Sequence, residues 1–238
     1  MSGTYFISDL HLDATRPHVF EGLAAFLQRI EGCDALYILG DLFEAWVGDD
    51  DDAPLAKDTT SLFKSFTAQG HSLFLMVGNR DFLLGDAFAK SCGATLIPDP
   101  TPINLYGEPA LLLHGDSLCT ADTAYQAFRA RARDSAWQAE ILDNSLPQRR
   151  EMAKSLREIS HEAVSNKAED ITDADTHAAE LVARQHGVSC LIHGHTHRPA
   201  RHEAAFGERW VLGDWDSEGW ALKATAKGLN LLNFQLIQ

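Results

Sequence analysis

Short apolar runs and helix-like stretches alternate through the first part of the chain, and another apolar run follows near residue 190. Near-continuous apolar runs of this length are typical of strands buried on both faces. The runs cover Tyr5–Ile7, Ala35–Leu39, Leu73–Val77, Leu111–Leu113 and Leu191–Ile192. Apolar residues recur at helical spacing between the first two runs, and residues 55–69 predict a second helix. Strands that alternate with helices favour an α/β fold built around stacked sheets.

Three more strand-like runs follow, and they contain Arg209–Leu212, Ala221–Ala224 and Leu231–Leu236. We expect these runs to complete the second sheet of the fold. The core of the protein is therefore predicted to comprise residues 1–120 and 181–238.

Residues 121–180 differ from the rest, because strand signals vanish and polar helical patterns take over. Two apolar sets recur at helical spacing, and Pro147 is expected to break the segment into two helical arms. The sets are Tyr125, Phe128 and Ala132, then Met152, Leu156 and Ile159. We interpret the segment as an inserted helical cap over the functional site, and a solvated helical insertion is the alternative.

Charge is distributed unevenly along the chain. The 238 residues include 34 acidic and 20 basic side chains, which give a formal net charge of −14. Such a field repels polyphosphate backbones and argues against nucleic acid as a partner. The insertion is locally basic, with eight Lys or Arg against six Asp or Glu from Arg129 to Lys167. By contrast, Asp49–Asp52 is an acidic run that we interpret as a solvated loop.

The cysteines and the N-terminal sequence bear on the cellular compartment. No Cys-x-x-Cys pair is present, so we expect buried reduced thiols at Cys33, Cys92, Cys119 and Cys190. No signal peptide and no apolar stretch of about 18 residues is visible. We therefore expect a cytoplasmic protein, and peripheral contact with a membrane stays open.

Polar residues of metal-binding types follow all five buried runs. In chain order the strand ends offer Asp-x-His, Asp, Asn, His and His-x-His, with glycine beside four of them. Glycine lets the backbone bend sharply and lets a ligand approach closely. Carboxylate, imidazole and amide groups together suit Mn²⁺, iron or Zn²⁺, and this set exceeds the needs of one ion. The candidate metal ligands are Asp9, His11, Asp41, Asn79, His114, His195 and His197.

These motifs, in this order, resemble those of the calcineurin-like metallophosphoesterases. The matching segments are Asp9-x-His11, Gly40-Asp41, Gly78-Asn79-x-Asp81, His114 and Gly194-His195-x-His197. The resemblance implies a β-sandwich core flanked by helices and a pair of divalent ions that share Asp41. The other ligands would divide as Asp9, His11 and His197 for one ion, and Asn79, His114 and His195 for the other.

One position departs from the general family pattern. The third motif usually reads Gly-Asn-His-Asp, whereas Arg80 replaces that histidine here. Together with the segments Gly40–Asp50 and His114–Cys119, it resembles the branch of the family that hydrolyses UDP-2,3-diacylglucosamine in lipid A biosynthesis. Arg80 can hold pyrophosphate oxygens through paired charge-assisted hydrogen bonds, and a salt bridge to Asp81 is the alternative.

The resemblance to that branch implies a pyrophosphate hydrolase with two Mn²⁺ ions. A metal-bound hydroxide would attack the α-phosphorus of the UDP group and release UMP and 2,3-diacylglucosamine 1-phosphate (lipid X). The metal ligands together with Arg80 would form the catalytic set. Substrate contacts are expected from Asn79, Arg80, Asp122, Ser160, Val164, Lys167 and His195.

The insertion also carries the expectations about lipid. Six apolar side chains either line a chamber for acyl chains or form the insertion's own core: Tyr125, Phe128, Trp137, Met152, Leu156 and Ile159. Because a diacylated substrate resides in a bilayer, we expect a monomer bound peripherally to the cytoplasmic side of the bacterial inner membrane. Candidate contacts to anionic lipid are Arg149, Arg150 and Lys154.

Two other functions stay open at this point. A phosphoesterase of the same family could act on a soluble nucleotide or a phosphoprotein, although Arg80 and the insertion argue against it. A non-catalytic scaffold of the same fold is the other alternative. Such a protein would be expected to lack ligands, whereas every expected ligand position is filled here.

Overall fold

A computed structural model describes residues 3–30, 32–165 and 171–236, with only the backbone described for residues 159–165. Within those residues, two β-sheets pack face to face between layers of helices. Strands β1–β11 are Gly3–Ile7, Cys33–Leu39, Ser72–Met76, Thr95–Ile97, Thr101–Leu105, Glu108–Leu113, Cys190–His193, Ala200–Ala204, Gly207–Val211, Glu218–Thr225 and Gly228–Gln235. Helices α1–α7 are Pro17–Arg29, Pro54–Ala68, Asp86–Ser91, Thr123–Ala132, Ser135–Leu142, Leu146–Ser165 and Thr176–His186.

The two sheets place the ends of their parallel strands at one end of the sandwich. The first sheet has the order β11-β10-β1-β2-β3-β4, and the second has the order β5-β6-β7-β9-β8. Strands β1 to β4 run parallel, as do β6, β7 and β9. Because ligands collect beyond the carboxyl ends of parallel strands, the loops after these strands are the expected place for a site. The α/β sandwich predicted from the sequence is confirmed.

The apolar core holds those loops on a rigid base. Phe6 and Ile192 are among the side chains buried between the two sheets. Helices α1 and α2 cover the outer face of the first sheet with side chains such as Leu23 and Phe63. Helix α7 covers the outer face of the second sheet, where Ala183 is fully buried. Close packing of this kind fixes where each strand ends.

Two strands near the C-terminal end join a different sheet from the one predicted. Strand β9 belongs to the second sheet as expected, but β10 pairs antiparallel with β1, and β11 pairs with β10. The prediction for these two strands is wrong because the hairpin finds its aromatic partners on α1. Phe234 of β11 stacks on Phe26 with 5.4 Å between ring centroids, and both contact Trp215.

In the described residues, the cap contains three helices, α4, α5 and α6, rather than the two predicted arms. One break lies between α4 and α5. Asp134 caps the start of α5 by accepting the backbone N–H of Trp137 at 2.8 Å. Pro147 does not break the segment, because it is the second residue of α6 and the first turn of a helix needs no N–H from it. The predicted limits of the cap at residues 121 and 180 stay a prediction.

Candidate metal centre and its cavity

The predicted metal ligands occupy the turns that follow β1, β2, β3, β6 and β7. Five of them have a positive φ, a conformation that residues with a side chain rarely adopt. They are Asp9 (55°), His11 (48°), Asp41 (52°), His195 (68°) and His197 (55°). Among the other described residues that are not glycine, only Tyr106 shares this conformation. Backbone strain concentrated on one group of side chains is typical of a functional site.

Two glycines allow the ligand turns to approach one another. A Cβ on Gly78 would collide with the carboxylate of Asp41, and a Cβ on Gly194 would collide with that of Asp9. Any larger residue would therefore push a ligand out of place. The close approach of ligands to these turns agrees with the prediction made from the glycines beside the motifs.

The ligand atoms form two adjacent clusters. In each cluster, a carboxylate oxygen and two imidazole nitrogens lie within 4.8 Å of one another. One cluster contains Asp9, His11 and His197, and the other contains Asp41, His114 and His195. These groups agree with the division between two ions that the family resemblance implied.

Asp41 lies between the clusters and can serve both. Its Oδ1 is 3.7 Å from Nε2 of His114, and its Oδ2 is 3.8 Å from Nε2 of His11. Asn79 adds its Oδ1 to the second cluster, 2.9 Å from the same nitrogen of His114. The structure thus brings all the predicted ligands together, while metal binding by each of them stays a prediction.

The donor atoms fit a pair of divalent cations. Nε2 of His11 and Nε2 of His197 face each other at 3.3 Å, beside the carboxylate of Asp9. The opposite nitrogen of His11, Nδ1, lies 3.0 Å from Glu44. The opposite nitrogen of His197 lies 3.6 Å from Asp214. A carboxylate behind a metal-binding histidine fixes the ring and its tautomer, and such partners accompany most histidine ligands.

The charges of the clusters also favour cations. Burial alone would lower the pKa of His114, but the carboxylates of Asp41 and Asp116 raise it to about 9. Burial would likewise lower the pKa of His197, but its contact with Asp9 raises it to about 9. Carboxylates that hold these two imidazoles protonated form a site for positive charge, which divalent ions can supply.

Arg80 lies beside the centre and lines a cavity together with its ligands. The alternative of a salt bridge to Asp81 is wrong, because Nη1 of Arg80 lies 3.7 Å from Glu44 instead. Asp81 is fully buried and accepts the backbone N–H groups of Gly78 and Leu42 at 2.6 and 2.8 Å. It therefore joins the loops after β2 and β3, which carry Asp41 and Asn79.

A cavity of about 530 Å³ combines this centre with apolar side chains. Part of its lining is polar and consists of His11, Asp41, Asn79, Arg80, His195 and His197. Another part is apolar and includes Trp46, Phe82, Leu83, Phe128, Ile141, Met152 and Leu156. A pocket with convergent polar groups and a large apolar wall fits an amphiphilic ligand.

The two interpretations of the insertion's apolar residues both apply. Phe128, Met152 and Leu156 line the cavity. Trp137 packs on Phe82 with 5.7 Å between ring centroids and belongs to the core between cap and sandwich.

The predicted substrate contacts of the cap are only partly described. Asp122 lines the cavity, and its Oδ1 also accepts the backbone N–H of Tyr125, so it caps α4. Lys167 and the side chains of Ser160 and Val164 lie outside the described residues, as does the side chain of Ile159.

A buried network that the sequence analysis missed ties α4 to the ligand loops. The fully buried Asp116 accepts a hydrogen bond from Oη of Tyr125 at 2.8 Å and pairs with Nε of Arg129 at 3.0 Å. Arg129 also pairs with Asp99 at 3.1 Å. The ring of Tyr125 stacks on His195 with 5.7 Å between centroids. Helix α4 thus contacts the metal centre directly. The sequence feature that could have indicated this network is the Gly115-Asp116 pair directly after His114.

A second set of ion pairs fastens α6 to the loop after β2. The acidic run is a loop in which Asp50 and Asp52 are exposed, as predicted, but it also pairs with α6, which was not predicted. The side chain of Arg149 is 5% exposed and donates to both carboxylate oxygens of Asp50 at 2.7 and 2.5 Å. Arg150 pairs with Asp51 and Asp52. We call these five residues the acidic latch. The signal that could have revealed it is the opposite charge of the two runs.

Comparisons with known proteins agree with this geometry. The sequence model for the calcineurin-like phosphoesterase family matches residues 4–199. A UDP-2,3-diacylglucosamine hydrolase from Cellvibrio japonicus is 50% identical over 238 residues, covering 98% of this chain and 99% of that protein. A protein of the same name from Pseudomonas paraeruginosa is 46% identical over 236 residues, covering 97% and 98%.

The fold also resembles a solved structure of a different protein. A novel archaeal phosphodiesterase superposes with a TM-score of 0.51 at 11% identity, covering 98% of this chain and 99% of that chain. At this identity the likeness bears on the fold alone. By its sequence, its sandwich and its strand-end motifs, the chain belongs to the calcineurin-like phosphoesterase family, and within it to the UDP-2,3-diacylglucosamine hydrolases.

Proposed function

We propose that the protein hydrolyses the pyrophosphate of UDP-2,3-diacylglucosamine and releases UMP and 2,3-diacylglucosamine 1-phosphate. The observation that carries the proposal is one cavity lined by residues of both ligand clusters, by an arginine and by apolar side chains of the cap. A diphosphate joined to two acyl chains needs these features in one place. The names of relatives at 50% and 46% identity support the same substrate.

The two ligand clusters would hold the ions of the reaction. When bound, two divalent ions polarise a phosphoryl oxygen and activate water as a nucleophile near neutral pH. We propose Mn²⁺ for both, because the donors are carboxylate, imidazole and amide groups rather than thiolates. One ion would lie among Asp9, His11, Asp41 and His197, and the other among Asp41, Asn79, His114 and His195.

Arg80 is held where it can orient the diphosphate. Its backbone N–H donates to Oδ1 of Asp41 at 2.8 Å, and its carbonyl accepts the backbone N–H of Trp46 at 3.3 Å. With its backbone held there, the guanidinium can reach phosphate oxygens and bind them as a planar fork. The departing phosphate has a second pKa of about 6 and needs little help from an acid. Arginine in place of the usual histidine is therefore compatible with this leaving group.

We further propose that the protein works as a monomer at the cytoplasmic side of the bacterial inner membrane. No helix among the described residues is both long enough and apolar enough to cross a bilayer. A diacylated substrate stays in the bilayer, because each buried methylene contributes about 0.8 kcal/mol. Leu142 at the end of α5 and Met152 on α6 are 42% and 37% exposed, and Lys154 on α6 is exposed as well. Exposed apolar and basic residues on the cap favour contact with an anionic surface.

The test of the substrate is an assay of the pure protein supplied with Mn²⁺. UMP should be released from UDP-2,3-diacylglucosamine, and oxygen from isotope-labelled water should appear in the UMP, because attack is on its phosphorus. A dinucleoside polyphosphate, a cyclic nucleotide and a phosphopeptide serve as the comparison set. Absence of UMP, or faster hydrolysis of a soluble substrate, would contradict the proposal.

A further inference from the structure

Glu44 touches both the metal centre and the proposed diphosphate-binding group. It stands three residues after Asp41 and lines the cavity. Its Oε2 lies 3.0 Å from Nδ1 of His11, and its Oε1 lies 3.7 Å from Nη1 of Arg80. The side chain is 26% exposed, so most of it is shielded from water. Two neighbours with different tasks thus share one carboxylate.

The ring of His11 depends on this carboxylate. His11 is 8% exposed, and apart from the contact with Glu44 its buried Nδ1 has no hydrogen-bond partner among the described residues. The other nitrogen, Nε2, faces His197 at 3.3 Å and Asp41 at 3.8 Å. A carboxylate at Nδ1 keeps the proton on that nitrogen and directs the lone pair of Nε2 at the metal.

The backbone of Glu44 is itself fixed between two ligand loops. Its N–H donates to the carbonyl of Leu12 at 3.1 Å, next to a parallel bridge between Leu12 and Phe43. This bridge joins the loop after β1 to the loop after β2. The carboxylate is therefore presented from a rigid base, whereas the guanidinium of Arg80 lies at the end of a flexible side chain.

We infer that Glu44 is a positioning residue that fixes the ring of His11 for the metal and the guanidinium of Arg80 for the diphosphate. The second half of this inference rests on the proposed function, and the first half rests on the geometry of the metal centre. One carboxylate thereby sets the place of an ion and the place of the substrate together.

Titration of metal-free protein with Mn²⁺ tests the first half without any substrate. E44A should weaken the binding of one of the two ions by roughly 10–100-fold, as is usual for a lost partner behind a metal-binding histidine. E44Q keeps an oxygen that accepts the proton of His11 and should recover most of the affinity. E203A, at a glutamate of β8 whose side chain is 86% exposed, is the matched control and should bind as the wild type does.

Steady-state kinetics at saturating Mn²⁺ test the second half. E44A and E44Q should both raise KM for UDP-2,3-diacylglucosamine more than they lower kcat, because neither supplies a negative charge to Arg80. In a double-mutant cycle, E44A should raise KM only slightly further when R80A is already present. Groups that act as one unit give such non-additive effects.

Circular dichroism of the nearly isosteric E44Q shows whether the fold is retained. Unchanged Mn²⁺ affinity of E44A for both ions, or additive effects on KM in the cycle, would overturn the inference. If the wild type releases no UMP, the proposed function fails, and the Mn²⁺ titration still decides whether Glu44 positions His11.

Discussion

The metal-ligand turns and the helical cap are held in place by different means. The turns are fixed locally, since five ligands have a positive φ and follow strands buried in the core. The cap is fixed by side chains of distant segments, in ion pairs such as Arg129 with Asp99 and Arg149 with Asp50 and in the packing of Trp137 on Phe82. The difference indicates that the chemistry depends on backbone geometry, whereas the enclosure of the substrate depends on contacts between side chains.

Substitution of Asp41 acts on the ligand turns and should have the largest effect on activity. D41A removes the carboxylate that reaches both clusters and that accepts the N–H of Arg80. Loss of a partner behind a ligand already costs about 10–100-fold, so loss of the shared ligand should lower kcat by more than about 100-fold. The effect is measured as UMP release at excess Mn²⁺. D58A, at an exposed aspartate of α2, is the control and should behave as the wild type does. Near-normal turnover of D41A would contradict the shared role.

Substitution of Asp116 tests how firmly the cap is joined to the ligand turns. D116A removes the partner of the Tyr125 hydroxyl and one of the two carboxylates that pair with Arg129. Breaking a buried pair costs about 3–5 kcal/mol, and the remaining pair with Asp99 should keep the loss near the lower value. Y125F removes one hydrogen bond and should cost about 1 kcal/mol. Denaturant unfolding followed by tryptophan fluorescence gives both values. Equal losses in the two variants would show that Asp116 does not lock α4 onto the core.

Opening the acidic latch should affect the cap and spare the chemistry. D50A removes the partner of Arg149, whose side chain is 5% exposed, whereas D52A removes one partner of Arg150, whose side chain is 44% exposed. D50A should speed limited proteolysis within the cap severalfold and raise KM with little change in kcat. D52A should resemble the wild type, because exposed ion pairs contribute little. If both variants are cleaved at the wild-type rate, α6 is held by other contacts.

The smallest effect is expected at the membrane surface. Arg149 is 5% exposed and paired with Asp50, which corrects the expectation that it is available to lipid, whereas Arg150 is 44% exposed and its contact with lipid stays a prediction. Lys154 is exposed, and each basic residue near an anionic surface contributes about 1 kcal/mol, so K154E should weaken sedimentation with anionic vesicles. K64E, at an exposed lysine of α2, is the control. Unchanged sedimentation of K154E would show that Lys154 does not contact the membrane.

The ligand turns could be predicted from the sequence almost completely. Each candidate ligand follows an apolar run. Because the carboxyl ends of parallel strands lie at the same edge of a sheet, residues that follow such runs are expected to lie close together. The alternative for Arg80 was resolved only by the structure, because sequence adjacency favours Asp81 whereas the guanidinium turns towards Glu44.

The attachments of the cap and the sheet edges could not be predicted in this way. Asp50 and Arg149 are 99 residues apart, and a sequence shows charges without showing which of them meet. Strand β8 escaped prediction because its residues are mostly exposed and polar, as suits the edge of a sheet. The roles of Ser160, Val164 and Lys167 stay predictions of the family resemblance.

The central claim is that the chain holds two divalent ions with Asp41 between them. The most direct test is a Mn²⁺ titration of metal-free protein, followed by electron paramagnetic resonance. The account predicts two Mn²⁺ per chain with a spin-coupled spectrum, and loss of the coupling in D41A. One Mn²⁺ per chain, or two without coupling in the wild type, would contradict it.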